Sequence, residues 1–452
     1  MVPRLSPRSR SAYNALMPRI QWPAPATRRP LIATILIGLS AGFIAVAFAS
    51  SVSWVEQHTV IAASHRTPVV FAALTLGFMA LGAFITGWLM RRFAPDAAGS
   101  GIPQVKVAYH TRHIDFGWRL ILVKFFGGVL SIGTGSSLGR EGPTIHMGAA
   151  LANKIARFVG EPEDARLNAV CAGSAAGLAV AFNSPLAGVT LVLEEIAGGA
   201  NQHKYAGRSL LAAALGVLVV YLFLGDHAAF TLPPGLPLTW SVIWLSPVVA
   251  LVAGAAGLSF QASTLRLRAT VKHGRIPTPL ATSMGAIVGG VAGVVGFWLT
   301  GHLGVFGLGE QDLLSTLQNQ IVWSAALWLL LAKLVATTFC YGSGGCGGIF
   351  APLIFFGGMS GTVVFGLAQP WLHLTSQDQT MLSIIGMTAC LCSVVRAPIT
   401  SILIVTEMTR EVYVLPALMI AAVIGAYLNR YCLGENLYDA SLLQDGIRID
   451  PD

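Results

Sequence analysis

The sequence predicts an all-α, polytopic membrane protein assembled from two related halves. Three observations point there: scarce charge, apolar stretches repeatedly broken by glycine and proline, and an internal repeat. Of 452 residues, 54% are hydrophobic and 11% charged, where a soluble domain carries about 25% charged residues. Glycine supplies 50 residues, which suits close helix packing and helices interrupted within lipid. The formal charge of +8 is spread over short connecting segments without interleaved aromatics, so it does not point to nucleic-acid binding.

A helix needs about 20 apolar residues to cross a hydrocarbon core of roughly 30 Å. Segments 31–54, 67–90, 208–225, 241–262, 279–301, 321–340 and 412–433 meet that length. Segments 119–132, 144–158, 167–182, 185–197, 349–368, 380–395 and 398–408 are shorter or interrupted. Such a mixture is the pattern of a transporter whose discontinuous helices surround a midplane site. The first thirty residues hold Arg4, Arg8, Arg10, Arg19, Arg28 and Arg29 and no acid. They read as a disordered basic arm on the cytoplasmic side, together with the run Arg266, Arg268, Lys272, Arg275. Loops 226–240 and 302–320 have neither Lys nor Arg and are expected outside. The expected divisions are the arm 1–30, a first membrane repeat 31–225, an external linker 226–240, a second repeat 241–434 and a cytoplasmic tail 435–452.

The repeat aligns 173–195 with 386–408 at constant offset. Gly173, Ala176, Leu178, Pro185, Val192 and Glu194 meet Gly386, Ala389, Leu391, Pro398, Val405 and Glu407. Upstream, Gly-Arg-Glu-Gly-Pro at 139–143 has a counterpart in Gly-Gly-Ile-Phe-Ala-Pro at 347–352. Duplicated halves in a membrane often have inverted topology, with the site between them.

The chemistry concentrates in three Gly-to-Pro loops: Gly-Ser-Gly-Ile-Pro at 99–103, and the segments at 139–143 and 347–352. Glycine lets backbone amides turn toward a cavity, and each helix starting nearby adds its positive end. Three converging ends suit a small desolvated anion held without full countercharge, which permits release. Glu141 places a carboxylate beside those amides as a competitor for the anion.

These three loops, followed by Asn436-Leu437-Tyr438, resemble the CLC family of chloride channels and proton-coupled chloride transporters, over about residues 30–443. The resemblance implies a CLC-type fold and a homodimer in lipid, with one anion pathway per subunit. It implies that the Ser100 and Tyr438 hydroxyls and the amides of Ile349 and Phe350 hold a central chloride. The amides of Arg140, Glu141 and Gly142 would line an outer site, with Glu141 as the gating glutamate. Glu195, in Leu193-Glu194-Glu195-Ile196, matches the internal proton glutamate of coupled exchangers. Two intramembrane carboxylates cost about 2.5–3.5 kcal/mol each on insertion scales, enough to call for a role. The expectation is chloride/proton antiport, with a passive gated chloride channel as the alternative. Chloride and protons are the transported ions, and no cofactor, metal or nucleotide is expected. With the chain stopping at Asp452, no cytoplasmic nucleotide-sensing pair is expected either. Ser100 favours chloride over nitrate, and together with Tyr438 it disfavours a fluoride-selective exporter. The family further suggests a multi-pass protein of a bacterial inner membrane with both termini cytoplasmic.

The remaining residues have plainer readings. Glu194 and Glu407 read as hydrogen-bonded helix-end carboxylates, Arg140 as an ion-pair partner fixing its loop, and His146 as a satisfied interior histidine. Lys124 reads equally as a snorkelling lysine or as a source of positive potential. Gln104 stands where the family frequently has glutamate. The six cysteines, Cys171, Cys340, Cys346, Cys390, Cys392 and Cys432, read as small packing residues. Gly135-Ser136-Ser137-Leu138-Gly139 fits a hydrolase elbow, but its apolar helical setting lacks the strand-turn-helix that motif needs. Neither a P-loop nor HExxH occurs, which argues against an ATP-driven pump and a zinc protease.

Overall fold

The computed structural model describes residues 25–114, 116–198, 203–226, 228–233 and 238–449. The basic arm up to residue 24 therefore lies outside the described residues. Among the described residues the regular structure is helical, and ten helices are long and apolar enough to cross a membrane. The expected spans correspond to helices α1 (Pro25–Glu56), α2 (Pro68–Phe93), α8 (His203–Leu224), α9 (Trp240–His273), α10 (Thr278–Thr300), α12 (Trp323–Gly342) and α16 (Leu415–Cys432). The shorter segments form α4 (Trp118–Gly133), α5 (Glu141–Val159), α6 (Glu163–Phe182), α7 (Pro185–Leu191), α13 (Phe350–Ala368), α14 (Ser376–Val395) and α15 (Pro398–Thr409). Two small helices, α3 (Ile102–His110) and α17 (Leu437–Gln444), carry the segments after Gly101 and Asn436.

Two expectations need correction. Helix α1 starts at Pro25, inside the stretch read as a disordered arm; a proline suits the first helical position, where its missing N–H costs no bond, and Pro30 lies within the helix. The segment 302–320, read as a loop, contains helix α11 (Glu310–Leu317), started by two acids in its first turn.

The duplicated elements recur at matched lengths. Helices α5 and α13 have 19 residues each, and α6 and α14 have 20 each. In both halves the paired helices cross glycine on glycine: a Cβ on Gly148 would collide with the Gly173 carbonyl, and one on Gly357 with the Gly386 carbonyl. That contact brings the backbones together, as in small-residue packing of membrane helices. Helices α13 and α14 are almost wholly enclosed by protein, whereas α8 and α16 present Leu218, Leu222, Met419 and Val423 outward.

The halves also exchange helix caps. Glu194 accepts hydrogen bonds from the amides of Ile399 (3.0 Å) and Thr400 (2.7 Å), at the start of α15. Glu407, near the end of α15, accepts from Leu186 (3.1 Å) and Ala187 (2.9 Å), at the start of α7. Each carboxylate satisfies amides that have no acceptor within their own helix and meets the positive end of the helix dipole. The helix-end reading of both glutamates holds.

Candidate ion-binding site

The three glycine-rich loops meet in the interior. Gly139 and Gly348 pair as an isolated antiparallel bridge, each amide donating to the other carbonyl at 2.7 and 2.6 Å. The Gly99 amide donates to the Gly345 carbonyl at 3.1 Å, so the second-half loop fastens both first-half loops. Helices α3, α5 and α13 all begin at this junction, and their first amides have no acceptor inside the helix. Gly101 has φ +91°, in the left-handed region that favours glycine, and a Cβ there would strike the His146 ring.

Every residue expected at the anion pathway is brought near this junction. Ser100 and Glu141 are buried, and the Cα of Gly142 packs on Ser100, where a Cβ would come within 2.7 Å of the Ser100 Cβ and carbonyl oxygen. Ile349 caps α13 and Phe350 is its first residue; both are fully buried. Tyr438 is fully buried at the start of α17, within electrostatic reach of Ser100, Tyr341, Glu141 and Glu195. Its hydroxyl has no hydrogen-bond partner among the described residues. The Glu141 carboxylate lies against the Cα positions of Gly139 and Gly348, alongside the Ala351 amide. Neither of its oxygens meets hydrogen-bond geometry with a partner among the described residues. Only the Arg140 side chain turns away: it pairs with Glu310 at 3.0 Å, as expected of a loop-fixing arginine.

A cavity of about 340 Å³ opens beside Ser100, bordered by Gln104, Arg268, Tyr341 and Ser441. Gln104 thus stands at its wall, and its buried Oε1 has no hydrogen-bond partner among the described residues. Arg268 holds α17 in place by donating to the Ser441 carbonyl (3.2 Å), Gln444 Oε1 (2.9 Å) and Asp445 (2.7 Å).

Buried lysines brace the loops. Lys124 is fully buried, and its Nζ donates to the carbonyls of Ala97 (2.9 Å) and Gly99 (2.6 Å). It does not snorkel, because these carbonyls satisfy it inside. The matching position of the second half is Lys333, which the sequence reading missed. It donates to the carbonyls of Gly304 (2.8 Å), Val305 (3.3 Å) and Gly307 (3.1 Å). A lysine inside an apolar helix was the available signal. His146 is interior but not satisfied: neither ring nitrogen has a hydrogen-bond partner among the described residues, and the ring packs on Gly101 and Phe116. Ser137 shares a hydrogen bond with Thr337 (2.8 Å) across the halves, which accounts for the hydroxyl of the apparent hydrolase motif. The cysteines are free thiols, and five are buried; Cys432 is exposed, so its packing reading fails.

Glu195 and Glu194 lie in one π-helical turn, Val192–Ala197, and face different partners. Such turns insert an extra residue and often mark functional positions. Glu195 is buried and contacts Lys106 (3.0 Å) on α3 and the Asn436 side-chain amide (3.2 Å), the N-cap of α17.

The sequence matches the family described as voltage gated chloride channel over residues 81–430. The chain belongs to that family. Among curated relatives, the H(+)/Cl(-) exchange transporter ClcA of Cronobacter sakazakii is 33% identical over 91% of this chain and 89% of its own. ClcA of Vibrio cholerae is also 33% identical, over 91% of this chain and 88% of its own. Among solved structures, a slow cyanobacterial Cl-/H+ antiporter superposes with TM-score 0.82 at 26% identity, covering 92% of this chain and 97% of that one. A CLC-type fluoride/proton antiporter shares the fold at TM-score 0.74 and 23% identity, covering 90% and 96%. This CLC chain is a multi-pass membrane ion transporter and not an enzyme.

Proposed function

We propose that this CLC protein exchanges chloride for protons. The observation that carries the reading is the position of Glu141: a buried carboxylate without a hydrogen-bond partner among the described residues, at the open helix start beside the Ala351 amide. Ionised, it occupies the amide-lined outer site formed by Arg140, Glu141 and Gly142; protonated, it gives that place to chloride. The central chloride is held by hydroxyl donors from Ser100 and Tyr438 and by the amides of Ile349 and Phe350. Glu195, near the Tyr438 helix, supplies the inner end of a proton route that joins the anion path at Glu141. The ClcA relatives and the cyanobacterial antiporter support chloride as the anion.

The same reading includes a homodimer in lipid, basic segments and both termini on the cytoplasmic side of a bacterial inner membrane, and two membrane repeats at 31–225 and 241–434 separated by an external linker at 226–240. Reconstituted protein tests the exchange: a chloride gradient should drive protons uphill. Chloride flux without proton movement would replace the exchanger by the channel. Stronger transport of fluoride than chloride would replace the anion.

A further inference from the structure

Lys106 and Asn436 join the internal carboxylate to both helices that deliver hydroxyls to the anion site. Helix α3 follows Ser100 and carries Lys106; helix α17 carries Tyr438 and Asp439 in its first turn. Lys106 Nζ donates to Glu195 Oε1 at 3.0 Å and to Asp439 Oδ1 at 2.6 Å. Asn436 uses both ends of its amide. Its Oδ1 accepts from the Asp439 backbone amide at 2.8 Å, capping α17, while its Nδ2 faces the Glu195 oxygens at 3.5 and 3.2 Å. Glu195 is 4% exposed and Lys106 12%. The charged groups bearing on Glu195 are therefore Lys106 and Asp439, since neighbouring Glu194 is turned to Ile399 and Thr400.

We propose that Lys106 is a positioning residue that, with Asn436, transmits the charge state of Glu195 to Ser100 and Tyr438, so that proton occupancy inside sets chloride affinity at the centre. The physical basis is sharing. With Glu195 ionised, Lys106 divides its donors between two carboxylates, one on the Val192–Ala197 turn and one on α17, and ties α3 to both. With Glu195 neutral, the charge-assisted bond weakens and Lys106 is left to Asp439 alone. Asn436 loses its ionised acceptor in the same step, and it sits two residues from Tyr438. A shift of a few tenths of an ångström in either helix start alters hydroxyl placement on a small anion. This inference deepens the exchange reading and rests on it for the identity of the anion.

The test is a double-mutant cycle on chloride affinity, measured by calorimetry on the purified full-length protein. Glu195→Gln stands in for the neutral state and should change chloride affinity by about fivefold or more, the lower end of typical coupling energies. In the Lys106→Met background the same change should have little further effect. That double variant leaves no unpaired buried carboxylate at position 195, which protects it against misfolding. Lys106→Arg should restore the coupling, and elution as a single species confirms folding. A Glu195→Gln effect of equal size with and without Lys106, or no effect at all, overturns the proposal. Proton pumping by the wild type is a separate arm: its loss would remove the exchanger reading, while the affinity cycle still judges the linkage.

Discussion

The two loops Gly139–Pro143 and Gly348–Pro352 occupy equivalent places, yet they are chemically unlike. Each ends in a proline within the first turn of a 19-residue helix, and the two glycines hydrogen-bond to each other. At the first helical position one half has Glu141 and the other Phe350, which packs toward Phe182 with ring centroids 6.1 Å apart. Both halves supply a helix start aimed inward. One adds a buried carboxylate there and the other an apolar wall. On the exchange reading proposed above, duplication supplied the anion-binding backbone twice, and the side chains at the first helical position made the two copies different. The flanking charges keep the symmetry, as Lys124 and Lys333 each brace the loops of their own half.

Breaking the asymmetry should give the largest effect. Glu141→Gln is expected to abolish proton coupling while chloride flux persists, whereas Phe350→Leu should retain coupling; vesicle proton and chloride fluxes measured together decide. Persistent coupling in Glu141→Gln would remove Glu141 from the gate. Next comes the contact beneath it. Gly142→Ala drives a Cβ to within 2.7 Å of Ser100, an overpacking cost of about 1–3 kcal/mol, so chloride affinity by calorimetry should fall about tenfold. Its mirror, Ala351→Gly, should cost only about 0.5–1 kcal/mol. The exchanged caps should be equal. Glu194→Gln and Glu407→Gln are each expected to lower stability by about 1 kcal/mol, below the usual value for bonds to charged groups because both are partly exposed. Thermal unfolding in detergent reads this, with the proton-to-chloride ratio unchanged; clearly unequal losses would break the two-fold relation. The smallest effect belongs to Arg140→Ala. Its partly exposed pair with Glu310 is worth at most about 1 kcal/mol, so any slowing of flux should show at low ionic strength and fade with added salt.

Much of this was legible in the sequence for a physical reason. Crossing lipid forces long apolar runs, and ending a helix inside it forces glycine and proline, so spans and broken helices announce themselves. The repeat surfaced through Pro185 and Pro398 and through Glu194 and Glu407, residues fixed by helix starts and their caps. Glu141 stood out because a carboxylate at that depth is costly. Lys106 did not, because its meaning lies in Asp439, 333 positions away, and nothing local marks a lysine as shared between two acids. Lys333 reads as one cation in an apolar helix until the carbonyls of Gly304, Val305 and Gly307 gather round it. His146 was misjudged in part because being interior and being hydrogen-bonded are separate facts. The short helix Glu310–Leu317 was hidden by its polar composition.

The exchanged caps bear on how such a chain can be assembled. A fragment ending at residue 225 would start α7 with the amides of Leu186 and Ala187 bare, since their acceptor is Glu407. A fragment beginning at residue 241 would do the same to Ile399 and Thr400, whose acceptor is Glu194. In lipid no water is at hand to replace those acceptors. The two pieces, made as separate polypeptides in one cell, are therefore expected to accumulate only together, each serving as the other's chaperone.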